Sequence, residues 1–272
     1  MRLITLKPAT SHSGEEVRLD IYLQEASEKL YIKSRPMVLI CPGGGYEWTS
    51  DREADPIAFE FLAMGYHAAV LRYSVAPARY PTALQELAFS VAHIRENAKA
   101  YHVDAENIYV LGCSAGGHLA ATLGIKWNDP ELLRAIDKES DAVKPNGLIL
   151  CYPVITSGEF AHHGSFRNLL GDQYEACHER LSIEKQIGEQ MPPAFIWHTY
   201  ADESVPVENS LLLADALRKN HIPFEMHLFE KGEHGLSLAN KLTAEPAGDR
   251  LEESCMPWID LCHTWLKGKC GF

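Results

Sequence analysis

The chain reads as an α/β protein with a mostly parallel central sheet, helices on both faces and a small cap insertion. Three observations carry that reading. Short, continuous apolar runs at 36–41, 66–73, 108–113, 147–154 and 194–200 alternate with segments of helical spacing, and such runs suit strands covered on both faces. One of them passes without a linker into Gly112-Cys113-Ser114-Ala115-Gly116 and then into small, helix-friendly residues, which is the pattern of strand, sharp turn and helix. Neither an internal repeat nor a low-complexity tract nor a second core breaks the alternation. A chain of 272 residues, 46% hydrophobic, can bury one large core, so a single domain over 1–272 is expected, with an insertion at about 155–191.

Taken in order, residues 17–23 alternate apolar and polar with period two and predict a half-buried antiparallel strand at the early edge of the sheet. The run 36–41 is a buried strand that ends in Pro42-Gly43-Gly44-Gly45-Tyr46. Three successive glycines contribute no side chain to packing and imply backbone that must approach something closely. A phosphate cradle is the weaker reading of them, because the spacings Gly-x-Gly-x-x-Gly and Gly-Lys-Ser/Thr are absent. Helical spacing at 54–64 stops at Gly65, and 66–73 is again a buried strand. A Pro- and Tyr-containing loop at 74–81 leads to a long amphipathic helix over 83–101, followed by the strand and helix that flank Ser114. The strand at 147–154 should end at Pro153. The insertion at 155–191 is too irregular and too long for a plain connection and predicts a partial cap. A buried strand at 194–200, a helix at 207–219 and an edge strand over 224–229 follow. A helix at about 252–267, with Trp258, Leu261 and Trp265 at helical spacing, closes the chain.

Composition excludes several functions. The net charge of −12 supplies no basic stripe for phosphates, which argues against nucleic acid and anionic membrane surfaces and leaves neutral or cationic ligands. Residues 1–8 lack the apolar core and small-residue cleavage site of an export signal, and no run approaches the roughly 18 apolar residues of a membrane span. A cytoplasmic location is the expectation. Seven cysteines, an odd number without Cys-x-x-Cys spacing, read as reduced core thiols, with Cys255 and Cys262 one heptad apart on the last helix. His162-His163 lacks a cysteine or carboxylate at metal spacing and reads as a solvated loop; no metal and no cofactor are expected.

Three strand ends carry chemically distinct residues: Ser114, Asp202 and His234. In open α/β sheets the ligand crevice lies at the carboxyl ends of the strands, where all three fall. A serine hydroxyl is a weak nucleophile until a histidine takes its proton, and a carboxylate fixes that histidine's tautomer. Of thirteen histidines, His234 follows the last strand in a Gly-flanked loop, whereas His198 lies within a strand, as a packing residue, and His118 within a helix. Glu203 is the rival of Asp202, which leaves the strand end directly.

The stretch Gly-Cys-Ser-Ala-Gly-Gly-His, the loop Pro-Gly-Gly-Gly-Tyr, Tyr80-Pro81 before a long helix, Ala201-Asp202-Glu203-Ser204-Val205-Pro206 and Gly232-Glu233-His234-Gly235 together resemble α/β-hydrolase esterases. The chain is similar to small bacterial carbohydrate-ester hydrolases, acetyl-xylan and feruloyl esterases among them, and to hormone-sensitive-lipase-type esterases. The resemblance implies Ser114 as nucleophile, His234 as base, Asp202 as orienting acid, and an oxyanion hole from the backbone N–H groups of Ala115, Gly44 and Gly45. Lipase-type loops open with histidine where this chain has Pro42, which weakens assignment to that branch. The implied activity is hydrolysis of short acyl esters, acetyl groups on sugars such as xylo-oligosaccharides, through an acyl-enzyme. The alternatives are a small peptidase or amidase with the same three residues and a binding protein without chemistry. Tyr46, Trp48, Tyr152 and Phe166 are candidate substrate contacts, since aromatic faces stack on sugars or line acyl pockets. The expected partner is a small acylated sugar, with no nucleic acid and no membrane; a homodimer is left open.

Overall fold

The computed structural model describes residues 1–8 and 17–272. Eight strands form one sheet: β1 (Arg2–Leu6), β2 (Arg18–Leu23), β3 (Arg35–Cys41), β4 (His67–Arg72), β5 (Val103–Cys113), β6 (Gly147–Cys151), β7 (Ala194–Thr199) and β8 (Phe224–Phe229). Their spatial order is β1-β2-β4-β3-β5-β6-β7-β8. β2 is antiparallel to both β1 and β4, and every pair from β4 through β8 is parallel. Helices 82–96, 115–126 and 208–219 contribute to the apolar core on one face, and helices 55–63 and 258–270 to the core on the other.

Three expectations are corrected. The strand near residue 20 is not the edge: β1, a short run without strong alternation, pairs outside it. The polar residue that made β2 look half-solvated, Asp20, is buried and accepts from Thr5 Oγ1 at 2.7 Å and Arg18 Nε at 2.6 Å. A buried polar side chain with partners leaves the same period-two pattern as a solvated one. The helix expected over 83–101 is two, Thr82–Glu96 and Ala98–Tyr101, broken at Asn97, whose side chain donates to the His93 carbonyl. The last helix is Trp258–Cys270, with Pro257 at its N-cap, so Cys255 lies in the turns before it. Proline has no N–H to give a preceding turn and sits easily at a helix start. Trp258 stacks on Trp197 at 5.1 Å, which places the closing helix behind the carboxyl end of β7.

The insertion folds as a string of short helices, the longest being His163–Leu170. Phe166, Leu169 and Leu170 of that helix are buried against the main core. No helix of the described residues is long and apolar enough to cross a membrane.

Candidate active site

Ser114 sits between β5 and the helix Ala115–Lys126 with φ 53° and ψ −119°, a conformation that L residues avoid. Such strain costs on the order of 1–3 kcal/mol and persists only where neighbours fix it. Here the Ser114 N–H donates to Cys151 O at 2.9 Å, and its carbonyl accepts from Gly117, His118 and Val154. The flanking glycines are steric necessities: a Cβ on Gly112 would strike the Gly116 carbonyl, and one on Gly116 would strike the Cys41 carbonyl. Strand, elbow and glycine loop are therefore pressed together backbone to backbone.

The exits of β7 and β8 bring the other two residues to the serine. His234 Nε2 lies 2.7 Å from Ser114 Oγ, and His234 Nδ1 lies 2.6 Å from Asp202 Oδ2. With Nδ1–H donating to the carboxylate, Nε2 is left to accept the serine proton. Asp202 is buried and satisfied on both oxygens. Oδ1 accepts from the Ser204 and Val205 N–H groups at 3.0 and 2.8 Å, and Oδ2 also meets His198 Nε2 at 3.2 Å. Burial works against its charge, but the hydrogen bonds from His198 and His234 outweigh that and hold the carboxyl well below the usual carboxylate range. Asp202 thus stays ionised through neutral and mildly acidic pH.

Sequence reasoning assigned His198 only to packing, and here the structure adds a role. Its Nε2 donates to Val205 O at 2.9 Å as well as toward Asp202, and its Nδ1 faces Ser210 Oγ at 2.8 Å. It braces the far side of the carboxylate. Glu203, the rival acid, is exposed.

The glycine loop is oriented by its carbonyls. Gly43 O accepts from the Ser50 N–H at 3.0 Å, and Gly44 O accepts from Glu47 and Trp48 at 2.9 and 3.2 Å. Because a trans peptide sets its C=O and N–H in opposite directions, the N–H groups of Gly44 and Gly45 are turned the other way. Among the described residues no protein acceptor takes the N–H of Gly44, Gly45 or Ala115. Gly44 has φ +124°, and a Cβ there would collide with the Trp48 carbonyl.

A cavity of about 740 Å³ opens over these groups, lined among others by Gly44, Gly45, Trp48, Ser114, His162, Asn168, His234 and Arg250. Of the four aromatic candidates only Trp48 lines it, and Trp48 is 58% exposed. Tyr46, Tyr152 and Phe166 are buried instead, because each has a partner within the protein. The Tyr46 hydroxyl meets His118 Nδ1 at 2.9 Å, Phe166 packs edge-on against the His118 ring at 5.2 Å, and the Tyr152 hydroxyl donates to Glu53 Oε1 at 2.7 Å.

Three cavity or support residues were not read as such from sequence. His162, read as a solvated loop residue, lines the cavity, caps the helix His163–Leu170 and lies against Gly45. Its Nδ1 accepts from the Ser165 N–H at 3.3 Å, and burial together with nearby His234 pushes its pKa down. Asn168 donates to Gly45 O at 2.9 Å. Glu53 supports the loop from beneath. Histidine is not a residue type that marks a helix N-cap, so nothing in the pattern singled out His162, and nothing marked Glu53 as buried. Among the described residues no group of three His, Cys, Asp or Glu side chains is arranged to hold a metal ion.

The BD-FAE family model matches residues 19–217. Endo-1,4-beta-xylanase B of Butyrivibrio fibrisolvens is 38% identical over 76% of this chain and 33% of its own length. The chain spans between a third and a half of the first curated relatives it matches. Among solved structures, the carboxylesterase Cest-2923 from Lactobacillus plantarum WCFS1 superposes with a TM-score of 0.86 at 32% identity, covering 98% of both chains. The acetyl ester-xyloside bifunctional hydrolase from Caldicellulosiruptor lactoaceticus does so at 0.77 and 35% identity, over 93% of this chain and 88% of that one. With its mostly parallel sheet, strained serine elbow and glycine loop, the chain has the α/β-hydrolase fold and belongs to the BD-FAE family.

Proposed function

We propose that this chain is a serine carboxylic ester hydrolase that removes short acyl groups, acetyl above all, from sugars by way of an acyl-enzyme. The observation that carries the reading is the continuous row Ser114 Oγ, His234, Asp202, with contacts of 2.7 and 2.6 Å. Ser114 attacks the ester carbonyl while His234 Nε2 takes the hydroxyl proton. The N–H groups of Ala115, Gly44 and Gly45 receive the charge that develops on the carbonyl oxygen. His234 then returns the proton to the leaving alcohol, and water repeats the cycle to release the acid. Asp202 holds the imidazole tautomer and offsets its transient positive charge.

The short acyl preference is supported by the acetyl-ester name of one solved relative; beside Gly45 the nearest side chains, Ser165 and His162, stand at ordinary van der Waals distance from where a Cβ would lie. The sugar is supported by the cavity lining, in which Trp48 offers an aromatic face and Glu47, Glu245 and Arg250 offer hydroxyl partners. The xylan- and xyloside-directed names of the relatives point the same way. The test is kinetics on 4-nitrophenyl esters of rising chain length, followed by acetate release from acetylated xylo-oligosaccharides. Activity should be highest on acetyl, persist on propionyl and fall steeply by octanoyl. Preference for long chains with no acetate from any sugar would refute the substrate assignment.

A further inference from the structure

Resting on that reading, we infer that Glu53 is a positioning residue that couples the oxyanion loop to the histidine base. Glu53 is 3% exposed, and no salt bridge reaches it among the described residues. Its neighbour Arg52 turns elsewhere, to Gly235 O at 2.9 Å and to Thr243 O. A buried carboxyl with no cation in ion-pair contact is costly, and hydrogen bonds must satisfy it. It has two. Oε2 accepts the Gly43 N–H at 2.8 Å, and Oε1 accepts the Tyr152 O–H at 2.7 Å.

Each bond ends on a working part. Gly43 supplies the peptide whose carbonyl, held by Ser50, turns the Gly44 N–H toward the cavity. The carboxylate lies directly under the nucleophile: a Cβ on Gly43 would stand 2.7 Å from Glu53 Oε2 and 2.9 Å from Ser114 Cβ. On the other side, Tyr152 presents its ring to that of His234, centroids 5.2 Å apart at 74°. The Tyr152 hydroxyl oxygen accepts the Ser237 N–H at 3.0 Å, so its own proton is committed to Glu53. One side chain thereby fixes both the donors that meet the oxyanion and the ring that backs the base. Both contacts require an acceptor, and a glutamine offers only one acceptor oxygen.

The test is Glu53→Gln, which keeps the volume and must leave one donor facing an amide NH₂. It should lower kcat on 4-nitrophenyl acetate by about 10- to 100-fold, as misplacement rather than deletion of an oxyanion donor would. KM should stay within about threefold, and binding of a small alkyl boronic acid, which forms a tetrahedral adduct on the serine, should weaken in step with kcat. Tyr152→Phe, which keeps the ring on His234 and removes the O–H, should cost several-fold in kcat. In the Tyr152→Phe background the glutamine can give its oxygen to Gly43, so Glu53→Gln should then cost less than in the parent. A Glu53→Gln enzyme with kcat within twofold of the parent would overturn the inference. So would a boronic acid affinity that is unchanged while kcat falls, or additive losses in the double variant. If Glu53→Gln fails to fold, Tyr152→Phe still decides, since an unchanged kcat there contradicts the coupling. Failure of the underlying reading is a separate result: the parent protein itself would not hydrolyse the ester.

Discussion

The floor of the cavity and its rim are built differently. On the floor, Ser114, Asp202 and His234 follow the ends of three parallel strands, and each is fixed by buried or part-buried hydrogen bonds to backbone or to a second side chain. At the rim, Trp48 is largely exposed, and Arg250 meets Glu245 through a partly exposed ion pair at 2.6 Å. A partly exposed pair contributes little to stability, while a buried hydrogen-bonded group is costly to disturb. The difference teaches where chemistry and where selectivity should reside. Substitutions on the floor should change turnover, and substitutions at the rim should change which alcohol is accepted.

The comparison breaks most sharply at the serine. Ser114→Ala should lower ester hydrolysis by about 10⁴-fold or more with the fold intact, because the lost oxygen is small. His234→Ala should be comparable and Asp202→Asn milder, all measured as kcat/KM on one activated ester. Turnover retained by purified Ser114→Ala would place the chemistry elsewhere. Next comes the loop: Gly44→Val should cost roughly 10²–10³ in kcat, with substrate binding less affected, since a branched side chain must displace the Trp48 carbonyl and with it the donor. A normal kcat would move the oxyanion role away from Gly44.

The stability of the fold should respond to acid. Burial pushes His67 and His118 down to about 4, His118 being held between the Tyr46 hydroxyl and Leu181 O. Between pH 4 and the ordinary histidine pKa of about 6.5 the unfolded chain binds protons there that the native chain does not, so stability rises with pH in that window. Each of the two should contribute a slope of up to about 1.4 kcal/mol per pH unit within it. Urea midpoints at pH 7 and pH 5 check this, and equal midpoints would contradict the buried, neutral state of both rings. The smallest effect is expected at the rim. Trp48→Ala should raise KM for acetylated oligosaccharides by a few-fold, about 1 kcal/mol of lost stacking, with kcat on 4-nitrophenyl acetate unchanged. A loss on both substrates alike would move Trp48 from rim to floor.

The floor was also the legible part. The Gly-Cys-Ser-Ala-Gly elbow, the strand exit at Asp202 and the Gly-flanked His234 are constrained by local backbone geometry, and local geometry leaves a mark in sequence. The strand Phe224–Phe229 and the helices near 55–63 and 208–219 were legible for the same reason, through periodicity. What escaped was long-range satisfaction of polar groups. Glu53 stands in a charged stretch that reads as surface, and only the fold brings Tyr152, 99 residues away, to its carboxylate. His198 likewise looked like filler in an apolar strand until Asp202 was placed beside it. Three of the four aromatic candidates failed in the opposite direction, Trp48 alone lining the cavity. Position at a strand end does not tell whether a ring faces the cavity or, as with Tyr46, Tyr152 and Phe166, the core behind it.

An activated Ser114 hydroxyl should react with electrophiles that an ordinary serine ignores. The most direct measurement is intact-mass and peptide mapping after brief exposure to a fluorophosphonate at neutral pH. A single covalent adduct is expected, carried by Ser114 and absent from Ser114→Ala. An unlabelled parent protein, or an adduct that persists in the alanine variant, would contradict it.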